Sequence, residues 1–179
     1  MLAMHPVVQE KLFREIVSVF PEKDFQMNCN DMQKVPYLDM VINETLRVVP
    51  PVPVIGRQVV EDTQLTKDIL LPKDLMVLIS IFHLHRNTNI WGLNAHKFNP
   101  DNFLPQNLDG KHSHAFIPFS KGVRNCIGWR YAIFALKVMI AGCVRNFRYT
   151  TTFKFDDLEW LDNITLKYLV VPGIEIHRR

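Results

Sequence analysis

Between Trp129 and Phe147 the chain carries a helical stretch that is apolar almost all round, interrupted only by Arg130, Lys137 and Arg145. Such a helix belongs in the interior of a soluble protein, so it demands a covering layer and constrains everything packed around it. The same stretch falls short of the roughly 18 uncharged residues that a bilayer span requires. A chain of 179 residues is long enough to build one core, and its 47% hydrophobic and 22% charged residues are those of a folded domain. The expected organisation is a single region over residues 1–179, without repeats or low-complexity tracts.

Two further helices are expected. Val8, Leu12, Ile16 and Val19 recur at helical spacing between Pro6 and Pro21, and a second stripe of Leu38, Val41, Ile42, Thr45 and Val49 starts near Pro36. Pro50, Pro51 and Pro53 stop the second helix. Gly56 to Val60 and a buried run from Leu75 to Phe82 read as strands of a small antiparallel sheet, with a turn at Pro72-Lys73-Asp74. From His83 to Gly128 the chain is irregular apart from a short helix near Ile90 and Trp91. Ile164, Leu166, Tyr168 and Val170 alternate, turn at Pro172-Gly173 and resume at Ile174 and Ile176, as a terminal hairpin does. The fold class is therefore mainly α with small antiparallel sheets, an α+β arrangement.

Charge and cysteine usage narrow the function. The net charge of +3 is too small to argue for nucleic acid as a partner. Met1 to Phe20 meets Glu10, Lys11 and Arg14 before any long apolar run, so it is no secretory signal or anchor. The two Asn-x-Thr sequons at Asn43 and Asn163 then carry no weight. Cys29, Cys126 and Cys143 form no Cys-x-x-Cys pair, which fits a reducing compartment. Cys29 and Cys143 read as small buried hydrophobes. His83/His85 and His112/His114 form two His-x-His pairs, but no carboxylate or cysteine joins them at a ligand spacing, and exposed loop histidines are the expectation.

Cys126 is different, because the segment from Phe116 to Gly128 suits a thiolate. A thiol must lose its proton to bind metal strongly, and both cations and a helix N-terminus stabilise the resulting charge. Arg124 stands two residues before Cys126, Arg130 four after it, and the N–H groups of the following helix are expected to face the sulfur. Gly122 and Gly128 permit close approach of a flat ligand, and Phe119 is placed to pack beside the sulfur.

Phe119-Ser-Lys-Gly122-Val-Arg124-Asn-Cys126-Ile-Gly128 resembles the haem-binding signature Phe-x-x-Gly-x-Arg-x-Cys-x-Gly of the cytochrome P-450 haem-thiolate monooxygenases at every fixed position. The resemblance covers essentially the whole chain, as the C-terminal part of an animal microsomal member from the branch that includes fatty-acid ω-hydroxylases. It implies that Cys126 is the axial ligand of a b-type haem (iron protoporphyrin IX), with Phe119, Gly122, Arg124 and Gly128 around it. Arg57 and Arg124 take the propionates. Glu44-Thr45-Leu46-Arg47 resembles the family's Glu-x-x-Arg helix, whose ion pair fixes the haem loop. Where the family usually adds an arginine to that pair, this chain has Asn102. Asparagine brings no charge and no guanidinium fork.

The activity implied is insertion of one oxygen atom of O2 into an apolar substrate, with electrons from NADPH-cytochrome P-450 reductase, at the cytosolic face of the endoplasmic reticulum membrane. Lys121, Arg124, Arg130 and Lys137 are the expected basic docking face for the reductase. Family members are much longer; the membrane anchor and the oxygen-activating helix, with its Ala-Gly-x-x-Thr pattern, do not occur in these residues. The chain therefore reads as the haem-binding portion of a larger enzyme. A non-catalytic haem-binding or interaction remnant stands as the alternative, and a thiol redox protein lacks a resolving cysteine.

Overall fold

The computed structural model describes the backbone of residues 1–179 and all side chains except those of 162 and 163, so the side chain of the Asn163 sequon lies outside the described residues. Helix α1 spans Pro6–Val19 and α2 spans Pro36–Val48, each with proline in its first turn, where the ring's fixed φ is already helical and no N–H is wasted. Helix α2 has no side-chain cap of its own. The Glu15 carboxylate supplies one from α1: Oε1 accepts from Tyr37 N at 2.7 Å and Oε2 from Leu38 N at 2.9 Å. A negative charge there also meets the positive end of the α2 dipole.

Strand β1 (Val54–Gln58) pairs antiparallel with β4 (Met76–Ser80), so that Arg57 lies opposite Val77. The chain between them forms a hairpin of β2 (Thr63–Thr66) and β3 (Ile69–Leu71), two strands beyond those expected from the sequence. The run Leu75 to Phe82 is not buried as expected: Leu75, Met76 and Leu78 are exposed, and the last two residues enter α3 (Ile81–Leu84). In a two-stranded sheet only one face has something to pack against, which leaves alternate residues outside.

After α3 come α4 (Thr88–Trp91), a 3-10 turn at Pro100–Phe103, α5 (Pro105–Leu108) and α6 (Trp129–Asn146). Strand β5 (Phe147–Thr150) pairs with β8 (Glu175–Arg178), while β6 (Trp160–Asn163) pairs with β7 (Thr165–Tyr168). The expected hairpin across Pro172-Gly173 does not form. The turn sits instead at Ile164, in the left-handed region at φ 64°, and β8 leaves to close on β5.

The main core is made by Leu12 and Ile16 of α1, Leu38, Val41 and Ile42 of α2, and Ala141 and Val144 of α6. Each large side chain buried there contributes about 1.5 to 3 kcal/mol. Helix α6 is covered on this side only. Tyr131 is 77% exposed and Met139 58%, so the helix expected in the interior presents an apolar face outward in this chain. Cys29 is exposed and Cys143 half-buried, which corrects the reading of both as buried hydrophobes. No helix among the described residues is long and apolar enough to cross a membrane.

Buried polar groups latch these layers. Gln9 on α1 donates from Nε2 to the carbonyls of Leu2 (3.0 Å) and Tyr149 (2.9 Å), and its Oε1 accepts from Tyr149 N at 2.8 Å, tying β5 to α1. Lys137 on α6 donates to the Met32 carbonyl at 2.8 Å and to Asp39 on α2. Replacing Glu15 with alanine uncaps α2, and a loss of about 1 to 2 kcal/mol in urea unfolding is expected, against a smaller loss for Glu15→Gln, which keeps an acceptor.

Candidate functional site

Glu44 and Arg47 face inward from α2 and are both completely buried. Their contact is bidentate, Arg47 Nε to Oε2 and Nη2 to Oε1, each at 2.7 Å. The remaining guanidinium hydrogens are also used. Nη1 donates to the carbonyls of His85 (2.7 Å) and Ala95 (2.6 Å), and Nη2 to that of Lys97 (3.0 Å). On the acid side Oε1 accepts from Asn99 N at 2.7 Å and from Asn102 Nδ2 at 3.1 Å. Burying two charges is costly unless every donor and acceptor is satisfied, and here all five guanidinium N–H groups have partners. Asn102 thus stands on the acid as the third contact without adding a second positive charge.

This pair organises the irregular chain between α3 and α6. Three of its carbonyl partners and one amide belong to residues 85–99, so the segment is pinned to α2 from one point. Trp91, Ala95, Phe103 and Ala115 then close a second small core, with Phe116 packed against it. His85 is completely buried, not exposed like an ordinary loop histidine. Burial foremost, and then the charge of Arg47, push its pKa down to about 4, against the opposing pull of the Leu46 and Arg47 backbone.

The loop that follows carries Cys126. Ser120 takes a left-handed φ of 61° and Gly122 one of 85°, and the turn is closed by Ser120 N to the Ile117 carbonyl (3.0 Å) and Cys126 N to the Phe119 carbonyl (2.9 Å). The left-handed conformation is free for Gly122 and strained for Ser120, at a cost on the order of 1 kcal/mol. Arg57 on β1 donates from Nη2 to Ser120 Oγ at 2.7 Å, which holds the loop against the sheet. Gly128 begins α6 at φ −89°, open to any residue, and a Cβ there meets no neighbour, so its expected conformational need is not seen in the protein chain itself.

Cys126 and Arg124 are exposed. No N–H group among the described residues reaches Cys126 Sγ; its carbonyl instead receives Trp129 N, at 3.4 Å. A cavity of about 370 Å³ opens beside the loop, lined by the apolar Leu46, Val52, Ile55, Ile81 and Phe119 together with Arg124, Asn125 and Cys126. Phe119 and Cys126 both line this cavity. Lys137 does not join the expected basic face: it is buried on Asp39, while Lys121, Arg124 and Arg130 are exposed.

The family model described as cytochrome P-450 matches residues 1–164. The chain belongs to the cytochrome P-450 family. Probable cytochrome P-450 313a4 of Drosophila melanogaster is 47% identical to it over 180 residues, which cover 100% of this chain and 36% of that protein. Probable cytochrome P-450 4ac1 of the same organism is 38% identical over 167 residues, covering 93% of this chain and 32% of the relative. Cytochrome P-450 4p1, also from that fly, is 31% identical over 178 residues, covering 99% and 34%. The P-450 chain therefore spans about a third of the length of the curated relatives it matches, as their C-terminal part.

Sequence reasoning on this P-450 chain missed His85 and Ser120. The signal for His85 lay in its His-x-His pair, which carries no mark of burial; Ser120 is an unmarked position of the loop. Glu44→Ala leaves Arg47 buried without its partner, and an unfolding free energy lower by about 3 to 5 kcal/mol is expected, partly recovered in Glu44→Gln/Arg47→Met.

A second expectation concerns pH. The unfolded chain protonates His85 below 6.5, whereas the folded chain resists until about 4. The unfolded state therefore binds more protons in that window, and the stability associated with neutral His85 is full above 6.5 and lost as the pH falls to 4. In a denaturant series the native protein should lose about 1.4 kcal/mol per pH unit relative to His85→Gln between 6.5 and 4.

Proposed function

We propose that this chain is the haem-binding portion of a haem-thiolate monooxygenase, with Cys126 as the axial ligand of a b-type haem. The observation that carries the reading is the cavity beside the loop, whose mostly apolar lining includes one thiol, Cys126, and one arginine, Arg124. That donor set fits a flat apolar macrocycle with one metal and two carboxylates. Among the described residues no cluster of three His, Cys, Asp or Glu side chains competes as a metal site.

Arg57 and Arg124 supply positive charge for the propionates, and charge-assisted bonds of that kind are the strong ones. Ser120, by accepting from Arg57, keeps one arginine at the rim. Gly122 turns the loop in the left-handed region, a conformation open to glycine. Phe119 and Leu46 exclude water on the apolar side. Cys126 gives up its proton on ligation, and Arg124 lies close in sequence to offset the charge that remains. When bound, the haem supplies the insertion of one atom of O2 into an apolar substrate and the reduction of the other to water, a reaction that a thiolate ligand favours by donating electron density.

Electrons come in this reading from NADPH through cytochrome P-450 reductase, docking on Lys121 and Arg130, since Arg124 is engaged at the haem cavity. The same reading assigns the protein to the cytosolic face of the endoplasmic reticulum membrane. The resemblance to the branch that includes fatty-acid ω-hydroxylases favours an apolar substrate, with fatty-acid ω-hydroxylation first among the choices. The alternative, a non-catalytic haem-binding or interaction remnant, would keep the same loop, and the hydrogen bond from Asn102 to Glu44 supports retention of haem under either reading.

The test is the reduced carbon-monoxide difference spectrum of the haem-loaded, full-length protein. A strongly red-shifted Soret band is expected for the native protein and its loss for Cys126→Ser. An unchanged band in the serine variant would mean that another group ligates the iron.

A further inference from the structure

His85 ends α3 completely buried and makes contacts in two directions. Its carbonyl accepts from Arg47 Nη1 at 2.7 Å, on the side of the buried pair. Its ring points to the other side, where Nε2 accepts from Ile117 N at 2.9 Å and the imidazole lies against Phe116 with centroids 5.1 Å apart. Ile117 is the residue whose carbonyl closes the turn at Ser120, and one turn further on Phe119 accepts from Cys126 N. The route from Glu44 to the cysteine loop therefore runs through one residue, with the guanidinium bonded to its backbone and the loop bonded to its ring.

We infer that His85 is a positioning residue, which sets the entry of the cysteine loop relative to the Glu44–Arg47 pair through the lone pair on its Nε2. The inference rests on the haem-thiolate reading for its consequence, but the link between residues 85 and 117 is a property of the chain itself. An Nε2 that accepts requires the proton on Nδ1. That N–H is buried beside the Leu46 and Arg47 backbone at the carbonyl end of α2, near enough to feel it but without a hydrogen bond of ordinary geometry. An orphaned donor is tolerated only where something else compensates for it, and satisfying the buried Ile117 N–H is such a compensation. The depressed basicity of the ring agrees, since a protonated Nε2 would face another donor.

Two substitutions separate this role from simple space filling. Glutamine carries its Oε1 the same number of bonds from Cα as the histidine Nε2, and so keeps an acceptor without the ring. Phenylalanine keeps the ring against Phe116 without the acceptor. Hydrogen exchange at the Ile117 amide and the rate of haem release are measured in the full-length protein. Both should stay near native in His85→Gln, and both should be faster in His85→Phe by roughly tenfold to a hundredfold, the range for a stranded buried donor.

The reverse ranking, or equal behaviour of the two variants, overturns the proposal, as does faster exchange at Ile117 with unchanged haem release. Should the variants not fold, nitrogen NMR of the unsubstituted protein decides. An unprotonated Nε2 at neutral pH, coupled to the Ile117 amide, supports the assignment, and a protonated Nε2 overturns it. Failure of the thiolate reading is a separate result, visible in the Cys126→Ser spectrum, because amide exchange at Ile117 does not depend on which group ligates the iron.

Discussion

The buried pair of Glu44 and Arg47 is the interaction on which the rest of the site depends. An isolated helical pair three residues apart contributes only about 0.2 to 0.5 kcal/mol on a solvated face. Here the same spacing is enclosed, and the guanidinium distributes its remaining donors to three carbonyls from residues 85–97 while the acid receives two donors from residues 99 and 102. The segment from His83 to Gly128 has little regular secondary structure to satisfy its own backbone. Local turns satisfy most of it, and the two side chains of α2 take the carbonyls of residues 85, 95 and 97 and the amide of residue 99, which ties those turns to the helix.

The helical layer provides the rigid support for that arrangement. Helix α1 packs on α6 through Leu12 and Ile16 and caps α2 through Glu15, so two helices are fixed by both apolar and polar contacts. Lys137 adds a buried charge from α6 to Asp39 on α2. Because α2 carries Glu44 and Arg47 while α6 follows directly on Cys126, anything that holds these helices together also sets the distance between the pair and the loop.

At the loop the chain gives up some local stability for position. Ser120 sits in a left-handed conformation, Cys126 is left exposed, and Val123 and Ile127 are fully open to solvent. Strain and apolar exposure concentrated in one short segment mark a surface shaped for a ligand or partner rather than for self-packing. Asn102 illustrates a different economy: it maintains a hydrogen bond to Glu44 while leaving the enclosed pair with one charge of each sign.

Helices α1 and α2, the stop at the proline cluster and the cysteine loop were all legible in the sequence, because each rests on local physics: apolar spacing, the fixed φ of proline and the fixed offsets of a loop motif. Tertiary structure alone decided which of them are covered. Helix α6 has the composition of an interior helix yet lies half open, Lys137 looks like a surface cation yet is buried, and His85 looks like a loop histidine yet is enclosed. The strand from Thr165 to Tyr168 was readable as a strand, but its pairing with Trp160–Asn163, not across Pro172-Gly173, was not. Burial and pairing depend on residues distant in the chain, and side-chain type and spacing carry no record of which neighbours arrive.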